Sequence, residues 1–379
     1  MRAAPVVPAP RRVLYVIGGL GVGGAERQLL ELAAGLDRAE FAATVCSLDS
    51  GHDYADAFHA RGVPVLELPR KGSFDVQRLA RLRRFVRAER PDVVHAFLVG
   101  PSVYTRLACI GLRPRPVMIV SERSIQGRAR FVVRNADRAL VRSADCFVAN
   151  AEAVRTALLG HLSPSRPRIE VIPNGFDPEP APPGADRGEL RESLGVGPDE
   201  TLVLAVGRLA PQKDYPMLID AFARLAHRPR LRLAIAGDGP ERPRLEALLA
   251  ERPLPVRLLG TRRDVPDLLR AADVFALSSN VEGFPNVVGE ALLAGKPVAA
   301  TAAGGVPEVV RDRVDGRVVP IGDPAGLAAA IGELLDDPAR ARAMAESGQR
   351  RMRDTFSIAA MVRGHEALYR ELLSATSRR

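Results

Sequence analysis

Two carboxylates and two cations in the second half of this 379-residue chain have the types and spacing to do chemistry. Glu282 and Glu290 stand eight residues apart in "SSNVEGFPNVVGEA" (278–291), and Arg208 and Lys213 in "VGRLAPQK" (206–213). One helix could not easily bring both glutamates to a point. A loop carrying Glu282, followed by a helix opening near Asn286 and carrying Glu290, could. Gly283 and Pro285 force the turn between them, and backbone N–H groups around Phe284–Val288 would face the same pocket. Carboxylates accept hydrogen bonds from sugar hydroxyls. Arginine grips phosphate oxygens as a fork and lysine acts as a point charge. Gly207 ends the apolar run "LVLAVG", so both cations project from the loop at a strand's carboxyl end, where open α/β sheets bind ligands. Lysine is rare here, three of 54 basic residues, which makes Lys213 in this loop informative. The competing readings are a solvated turn with surface charges and a capped helix with two surface acids.

A third candidate is "GGLGVGGAER" (18–27), which follows "RRVLYVI". Gly19, Gly21 and Gly24 spell the dinucleotide fingerprint, and Asp49 waits at the end of the next apolar run. Physically the loop only says that a strand turns tightly into a helix and presents backbone N–H groups to a phosphate. Glu26, early in that helix, is awkward beside a bound pyrophosphate. An NAD-dependent oxidoreductase therefore stands as the alternative reading, without a hydride-transfer constellation in the second half to support it.

The elements that must position these residues repeat along the chain. "VLYVI", "ATVCSL", "VPVLEL", "DVVHAF", "VMIVS", "CFVAN" and "IEVIP" alternate with helix-length segments; then "LVLAVG", "LRLAIAG", "VRLLG", "VFALSS", "PVAAT" and "GRVVP" do the same. Short Val/Ile/Leu-rich runs separated by helices predict parallel sheets covered on both faces, twice over. The expected fold class is α/β, two Rossmann-like doubly wound domains facing across a cleft. The expected boundaries are 1–178, a Pro/Gly-rich linker 179–198, 199–355, and an amphipathic helix 356–379 packing back on the first domain, with Met361, Leu368 and Leu372 at helical spacing.

Composition narrows the class. Hydrophobic residues make up 46% of the chain, enough for two cores. No apolar run reaches the ~18–20 residues of a membrane span, and "MRAAPVVPAPRR" is too short in apolar content for a secretory signal. Cys46, Cys109 and Cys146 read as separate buried thiols of a cytoplasmic protein. The net charge of +9 is uneven: residues 1–178 hold 26 Lys+Arg against 17 Asp+Glu, and the rest hold 28 against 28. The first half is thus expected to face something anionic. Nucleic acid is disfavoured by an aromatic content of 4% with no tryptophan. Two stretches concentrate the charge. "QRLARLRRFVRAER" (77–90) reads as an amphipathic helix. In 128–142, Arg130, Arg134, Arg138 and Arg142 recur every four residues as one basic stripe suited to an anionic membrane or a lipid-diphosphate acceptor.

Taken in order, "GGAER", "NGFD" (174–177), "GRLAPQK", "AGDGP" (236–240), "EGFPNVVGEA" and "GGVPEVV" (304–310) resemble the retaining glycosyltransferases of the GT-B fold, family 4, also called glycosyl transferases group 1. The resemblance runs from about residue 12 to residue 340, and the paired glutamates with "GFPN" are its most specific part. It implies that Arg208 and Lys213 hold the diphosphate of a nucleoside-diphosphate sugar and stabilise it as leaving group. It further implies that Glu290 binds the ribose and that Glu282 contacts the donor sugar, with backbone N–H groups of the Gly283–Asn286 stretch helping to place that sugar and Gly207, Gly283, Phe284, Pro285 and Asn286 counted among the donor-binding residues. Gly23 and Gly24 would close over the phosphates, and His95, at the end of "DVVHAF", would lie beside the sugar. For Glu308 a capping role competes with a binding role. Retention at the anomeric carbon without a metal is implied, by same-face transfer in which a phosphate oxygen takes the acceptor's proton. The expected co-substrate is the nucleotide sugar, with no cofactor, and the expected acceptor is lipid-linked or saccharide. The expected location is cytoplasmic, with peripheral contact to the inner membrane face. A GT-B-like sugar-nucleotide epimerase is the remaining alternative.

Overall fold

The apolar runs of the first half form seven strands: β1 (Arg11–Ile17), β2 (Phe41–Ser47), β3 (Val65–Glu67), β4 (Val93–Phe97), β5 (Val117–Glu122), β6 (Cys146–Ala149) and β7 (Ile169–Val171). Those of the second half form β8 (Thr201–Val206), β9 (Leu231–Ala236), β10 (Val256–Gly260), β11 (Val274–Leu277), β12 (Val298–Thr301) and β13 (Arg317–Val319). These come from a computed structural model of the chain, which describes residues 9–21, 23–50, 54–69, 75–125, 131–178, 184 and 186–376.

The first sheet runs β3-β2-β1-β4-β5-β6-β7 and the second β10-β9-β8-β11-β12-β13. Neighbours pair in parallel, with Tyr15 opposite His95 across β1/β4 and Val203 opposite Val274 across β8/β11. In each sheet the strand order reverses beside its first strand, which leaves a crevice at the carboxyl ends of β1/β4 and of β8/β11.

The chain divides into two compact units, Met1–Gly175 with Ile358–Arg379, and Phe176–Ser357. In the first unit, side chains of β1 alternate between two cores. Val13, Tyr15 and Ile17 pack with Leu29 and Leu32 of the helix Gly24–Gly35 and with Met361, Leu368 and Leu372 of the last helix, Ile358–Thr376. Leu14 and Val16 pack with Leu82 and Val86 of the helix Val76–Glu89. This two-sided burial is why the strands read as nearly continuous apolar runs. In the second unit, Val203 and Ala205 pack with Leu218 and Phe222 of the helix Tyr215–Ala223 and with Leu327 and Ile331 of the helix Pro324–Asp336. Each such aliphatic side chain contributes about 1.5–3 kcal/mol by leaving water.

The Pro/Gly-rich segment expected as a linker is structured in its second half. Asp186 caps a helix, Arg187–Ser193, by accepting from the N–H groups of Gly188 (2.7 Å) and Glu189 (3.1 Å). Leu190 is buried, and the buried Arg191 donates to the Ala271 carbonyl (2.8 Å) and Asp273 (3.0 Å), which fixes this helix in the second unit. The sequence carries its signal, an N-cap aspartate with glutamate three residues on.

Candidate active site

The second unit gathers its candidate residues at the β8/β11 crevice. β8 ends at Val206, and the backbone then crosses the loop after β9. Gly207 N–H donates to the Ala236 carbonyl (2.9 Å), Leu209 N–H to the Asp238 carbonyl (3.0 Å), and Glu241 N–H back to the Leu209 carbonyl (3.0 Å). That crossing requires the glycines of "AGDGP". A Cβ on Gly237, whose φ is 144°, would overlap the Gly207 carbonyl oxygen, and one on Gly239 would overlap that of Leu209. The backbone on both sides of Arg208 is thereby tied to the β9 loop while its side chain is exposed. It makes no hydrogen bond or ion pair among the described residues.

Lys213 closes a single 3-10 turn, Pro211–Lys213. Asp214 follows at φ 46° and caps the helix Tyr215–Ala223, with Pro216 in its first turn. The β11 loop is laced to this turn: Ser278 Oγ donates to the Lys213 carbonyl (2.8 Å) and Asn280 N–H to the Gln212 carbonyl (2.9 Å). Lys213 Nζ then reaches Glu282 Oε1 at 2.6 Å, and Ser279 Oγ donates to the same oxygen, also at 2.6 Å. Both side chains are mostly buried, Lys213 17% and Glu282 13% exposed. Glu282 Oε2 takes no hydrogen bond among the described residues. One oxygen therefore fixes the carboxylate and the other is available to a ligand hydroxyl.

The helix Asn286–Leu293 buries Val288, Gly289, Ala291, Leu292 and Leu293. Asn286 and Glu290, one turn apart, share its half-buried face. The chain brings Arg208, Lys213, Glu282 and the start of this helix to the two loops that flank one crevice, as their spacing predicts. One expectation needs correction. Pro285 has no N–H, and Asn286 N–H is engaged by the Phe284 carbonyl (3.0 Å), so Gly283 and Phe284 alone keep their N–H groups without a partner among the described residues. The Phe284 ring itself is buried against Phe176 and Phe356, at centroid distances of 5.9 and 5.5 Å. Only its backbone is offered to a ligand. The Gly283 carbonyl accepts from Gly305 N–H (3.0 Å), which ties "GGVPEVV" to the same loop.

Comparisons with known proteins identify this arrangement. The family model Glycosyltransferase Family 4 matches residues 22–180, and Glycosyl transferases group 1 matches residues 186–351. The chain is 32% identical over 369 residues to the D-inositol 3-phosphate glycosyltransferase of Geodermatophilus obscurus, covering 91% of this chain and 75% of that protein. The chain belongs to glycosyltransferase family 4. It is thus a GT-B enzyme of a retaining family that transfers sugar from a nucleotide sugar. It is also 34% identical over 231 residues to the GDP-mannose-dependent alpha-(1-6)-phosphatidylinositol monomannoside mannosyltransferase of Mycolicibacterium smegmatis, 58% of this chain and 60% of that one. Among solved structures, Anabaena HepE in complex with UDP-glucose matches with a TM-score of 0.83 at 25% identity, covering 96% of this chain and 99% of that one. Membership in this family removes the dinucleotide reading of the glycine loop.

In this glycosyltransferase, Gly23 and Gly24 open the helix Gly24–Gly35 in the first unit, and the Glu26 carboxylate folds back over Gly23. His95 is not at a strand end open to substrate. It lies within β4, fully buried, with Nδ1 2.8 Å from Tyr369 Oη and Nε2 2.7 Å from Ser121 Oγ. Burial, with His365 and Arg123 nearby, pushes its pKa well below the ordinary histidine value. It is a neutral core group whose partner Tyr369 arrives from the last helix, which no local pattern announces.

The basic stretches also differ from expectation. In Val76–Glu89, Arg78 is buried and donates to the Leu48 carbonyl (3.0 Å), and Arg81 and Arg83 reach the carbonyls of Pro69 and Ala108. The four-arginine stripe is broken: the helix Phe131–Ala139 ends before Arg142, which sits in a separate 3-10 turn, Val141–Ser143. Arg130 lies outside the described residues. No helix among the described residues is long and apolar enough to cross a membrane.

Proposed function

We propose that this glycosyltransferase moves a sugar from a nucleoside-diphosphate sugar to a hydroxyl of a lipid-linked or polysaccharide acceptor, with retention and without a metal. The observation that carries the donor half is the exposed Arg208, with no ion pair among the described residues, in the same set of loops as the Lys213–Glu282 pair at the β8/β11 crevice. Arg208 and Lys213 hold the diphosphate, and their charge acts most as the sugar–phosphate bond breaks and negative charge grows on the bridging oxygen. Glu290 takes the ribose hydroxyls. Glu282, oriented by Lys213 and Ser279, accepts from a sugar hydroxyl through Oε2. The N–H groups of Gly283 and Phe284 assist there.

Glu282 is a binding group and not a nucleophile in this reading, because the lysine on its Oε1 draws charge away from attack. The acceptor oxygen bonds to the anomeric carbon on the face that the diphosphate leaves, and its proton passes to a phosphate oxygen. The relatives' names, which carry inositol 3-phosphate and a phosphatidylinositol monomannoside, support an acceptor built on a phosphorylated polyol.

Thermal unfolding against UDP, GDP, ADP and NAD, with EDTA present, tests the donor half. A ligand at about 100 times its Kd adds ~2.7 kcal/mol. One nucleoside diphosphate should raise the Tm by a few degrees, and Arg208→Ala should abolish the rise. Stabilisation by NAD alone, indifferent to Arg208, would sink the reading.

A further inference from the structure

Tyr215 has a single polar side-chain atom, and that atom engages the backbone that carries Arg208. The residue opens the helix Tyr215–Ala223, with Pro216 behind it and Asp214 as the cap. Its ring is 3% exposed and packs in the second unit's core with Val203, Leu209 and Leu218. Oη donates to the Gly207 carbonyl at 2.9 Å. Burial, with the Glu282 carboxylate nearby, raises the phenol's pKa, so the hydroxyl keeps its proton and remains a donor.

That bond fixes the plane of one peptide. Glycine leaves the torsion on its side of the Gly207–Arg208 peptide soft, so local sterics do not choose which way the group faces. A trans peptide points its C=O and its N–H in opposite directions. With the Gly207 carbonyl held by Tyr215, the Arg208 N–H faces the other way. The alternation of β8 says where that is. The N–H groups of Thr201, Gly207 and Leu209 donate to the carbonyls of Arg230 (2.8 Å), Ala236 (2.9 Å) and Asp238 (3.0 Å), all on the β9 side. Leu202 N–H goes to the other side, to the carboxylate of Asp273 just before β11 (2.8 Å). Arg208 shares the register of Leu202, so its N–H faces the β11 side, into the crevice. β11 ends at Leu277, and this N–H has no acceptor among the described residues. Of the three successive N–H groups at 207–209, the β9 loop takes the outer two and the middle one is left for a ligand.

Lys213 shows which part of the ligand that is. A Cβ on Gly207 would lie 3.0 Å from Tyr215 Oη and 3.1 Å from Lys213 Cε. The lysine stem therefore crosses this peptide on its way to Glu282, 2.6 Å from Nζ. In the transferase reading Glu282 takes a sugar hydroxyl, so the peptide lies where the diphosphate meets the sugar.

We propose that Tyr215 is a positioning residue whose hydroxyl locks the Gly207–Arg208 peptide, so that the Arg208 N–H donates to the sugar-bearing phosphate of the nucleotide sugar. This rests on the transferase reading and adds to it a backbone donor and the side chain that aims it.

Calorimetric titration of the full chain with UDP, GDP, UMP and GMP tests it. The diphosphate that binds the wild type should bind Tyr215→Phe about tenfold more weakly, the size of one hydrogen bond to a charged group. The matching monophosphate lacks the sugar-bearing phosphate and should bind both proteins alike, whereas a tyrosine that only supports the fold would weaken both nucleotides together. Hydrogen–deuterium exchange of the wild type at single-residue resolution reads the same amide without any substitution. The diphosphate should slow exchange at Arg208 more than the monophosphate does. Equal affinity of Tyr215→Phe and wild type for the diphosphate, equal losses for both nucleotides, or exchange at Arg208 indifferent to the second phosphate overturns the peptide lock and leaves the transferase reading intact. Failure of both diphosphates to bind the wild type overturns that reading, and the lock with it.

Discussion

At the scale of single residues, the site separates groups that bind from groups that hold. Arg208 makes no hydrogen bond or ion pair among the described residues, so Arg208→Ala should change the unfolding free energy by no more than the ~0.5 kcal/mol of an ordinary surface change. It should lower kcat/KM for transfer about 10²-fold, the size expected when one donor to a developing oxyanion is lost. Steady-state kinetics beside calorimetry separates the two effects. Glu282→Gln keeps the contact with Ser279 but leaves Lys213 without its counter-charge. Turnover should fall by a similar factor, and intact-protein mass spectrometry of the slowed Arg208→Ala variant, which keeps Glu282, should show no glycosyl adduct. An adduct on residue 282 of the wild type would mean that the carboxylate attacks the sugar after all.

At the scale of elements, the position of Arg208 depends on the loop after β9. The β9 loop can cross Gly207–Leu209 only because Gly237 and Gly239 lack side chains. Gly237→Ala must part the two loops or strain a residue at φ 144°, at a cost of roughly 1–3 kcal/mol. Both a lower Tm and weaker nucleoside-diphosphate binding should follow. Unchanged binding would show that the crossing does not position the cation. Asp186→Ala removes the cap of Arg187–Ser193 and should cost about 1 kcal/mol with donor binding unchanged, since that helix packs at Ala271–Asp273, at the amino end of β11.

At the scale of the whole molecule, the last helix returns to the first unit's core and carries Tyr369 and His365 into it. Tyr369 Oη joins Tyr15 Oη (3.1 Å) to His95, and the His95 and His365 rings lie 5.7 Å apart. Burial holds His365 at about 4, with His95 also well below its ordinary value. In the unfolded chain both titrate near 6.5, so between pH 4 and 6.5 the unfolded state binds more protons. Stability should therefore fall as pH drops from 6.5 towards 4, by on the order of 3 kcal/mol from His365. Glu122, raised by burial to about 7, acts in the opposite sense and lowers stability as pH rises from its unfolded value towards 7. Urea unfolding across this range should show the acid loss, and His365→Gln should flatten it; a slope identical in that variant would place the acid sensitivity elsewhere.

The local pattern of the sequence determined the strands, their two-sided burial and the loops that carry Arg208, Lys213, Glu282 and Glu290. Each of these depends on neighbours within a few residues: apolar runs of strand length, glycine and proline at turns, and the strand-end rule for ligands. The capped helix at Arg187–Ser193 was legible as well, through Asp186 and Glu189, although proline and glycine around it point to a linker. Only the tertiary structure decided what depends on distant partners. Nothing near His95 foretells that a tyrosine 274 residues away engages its ring. Nothing in a four-residue arginine spacing reveals that the helix stops at Ala139, or that Arg134 and Arg138 lean on His161. Side-chain partners across the fold are set by how helices pack on the sheet, and one-dimensional spacing does not encode that packing.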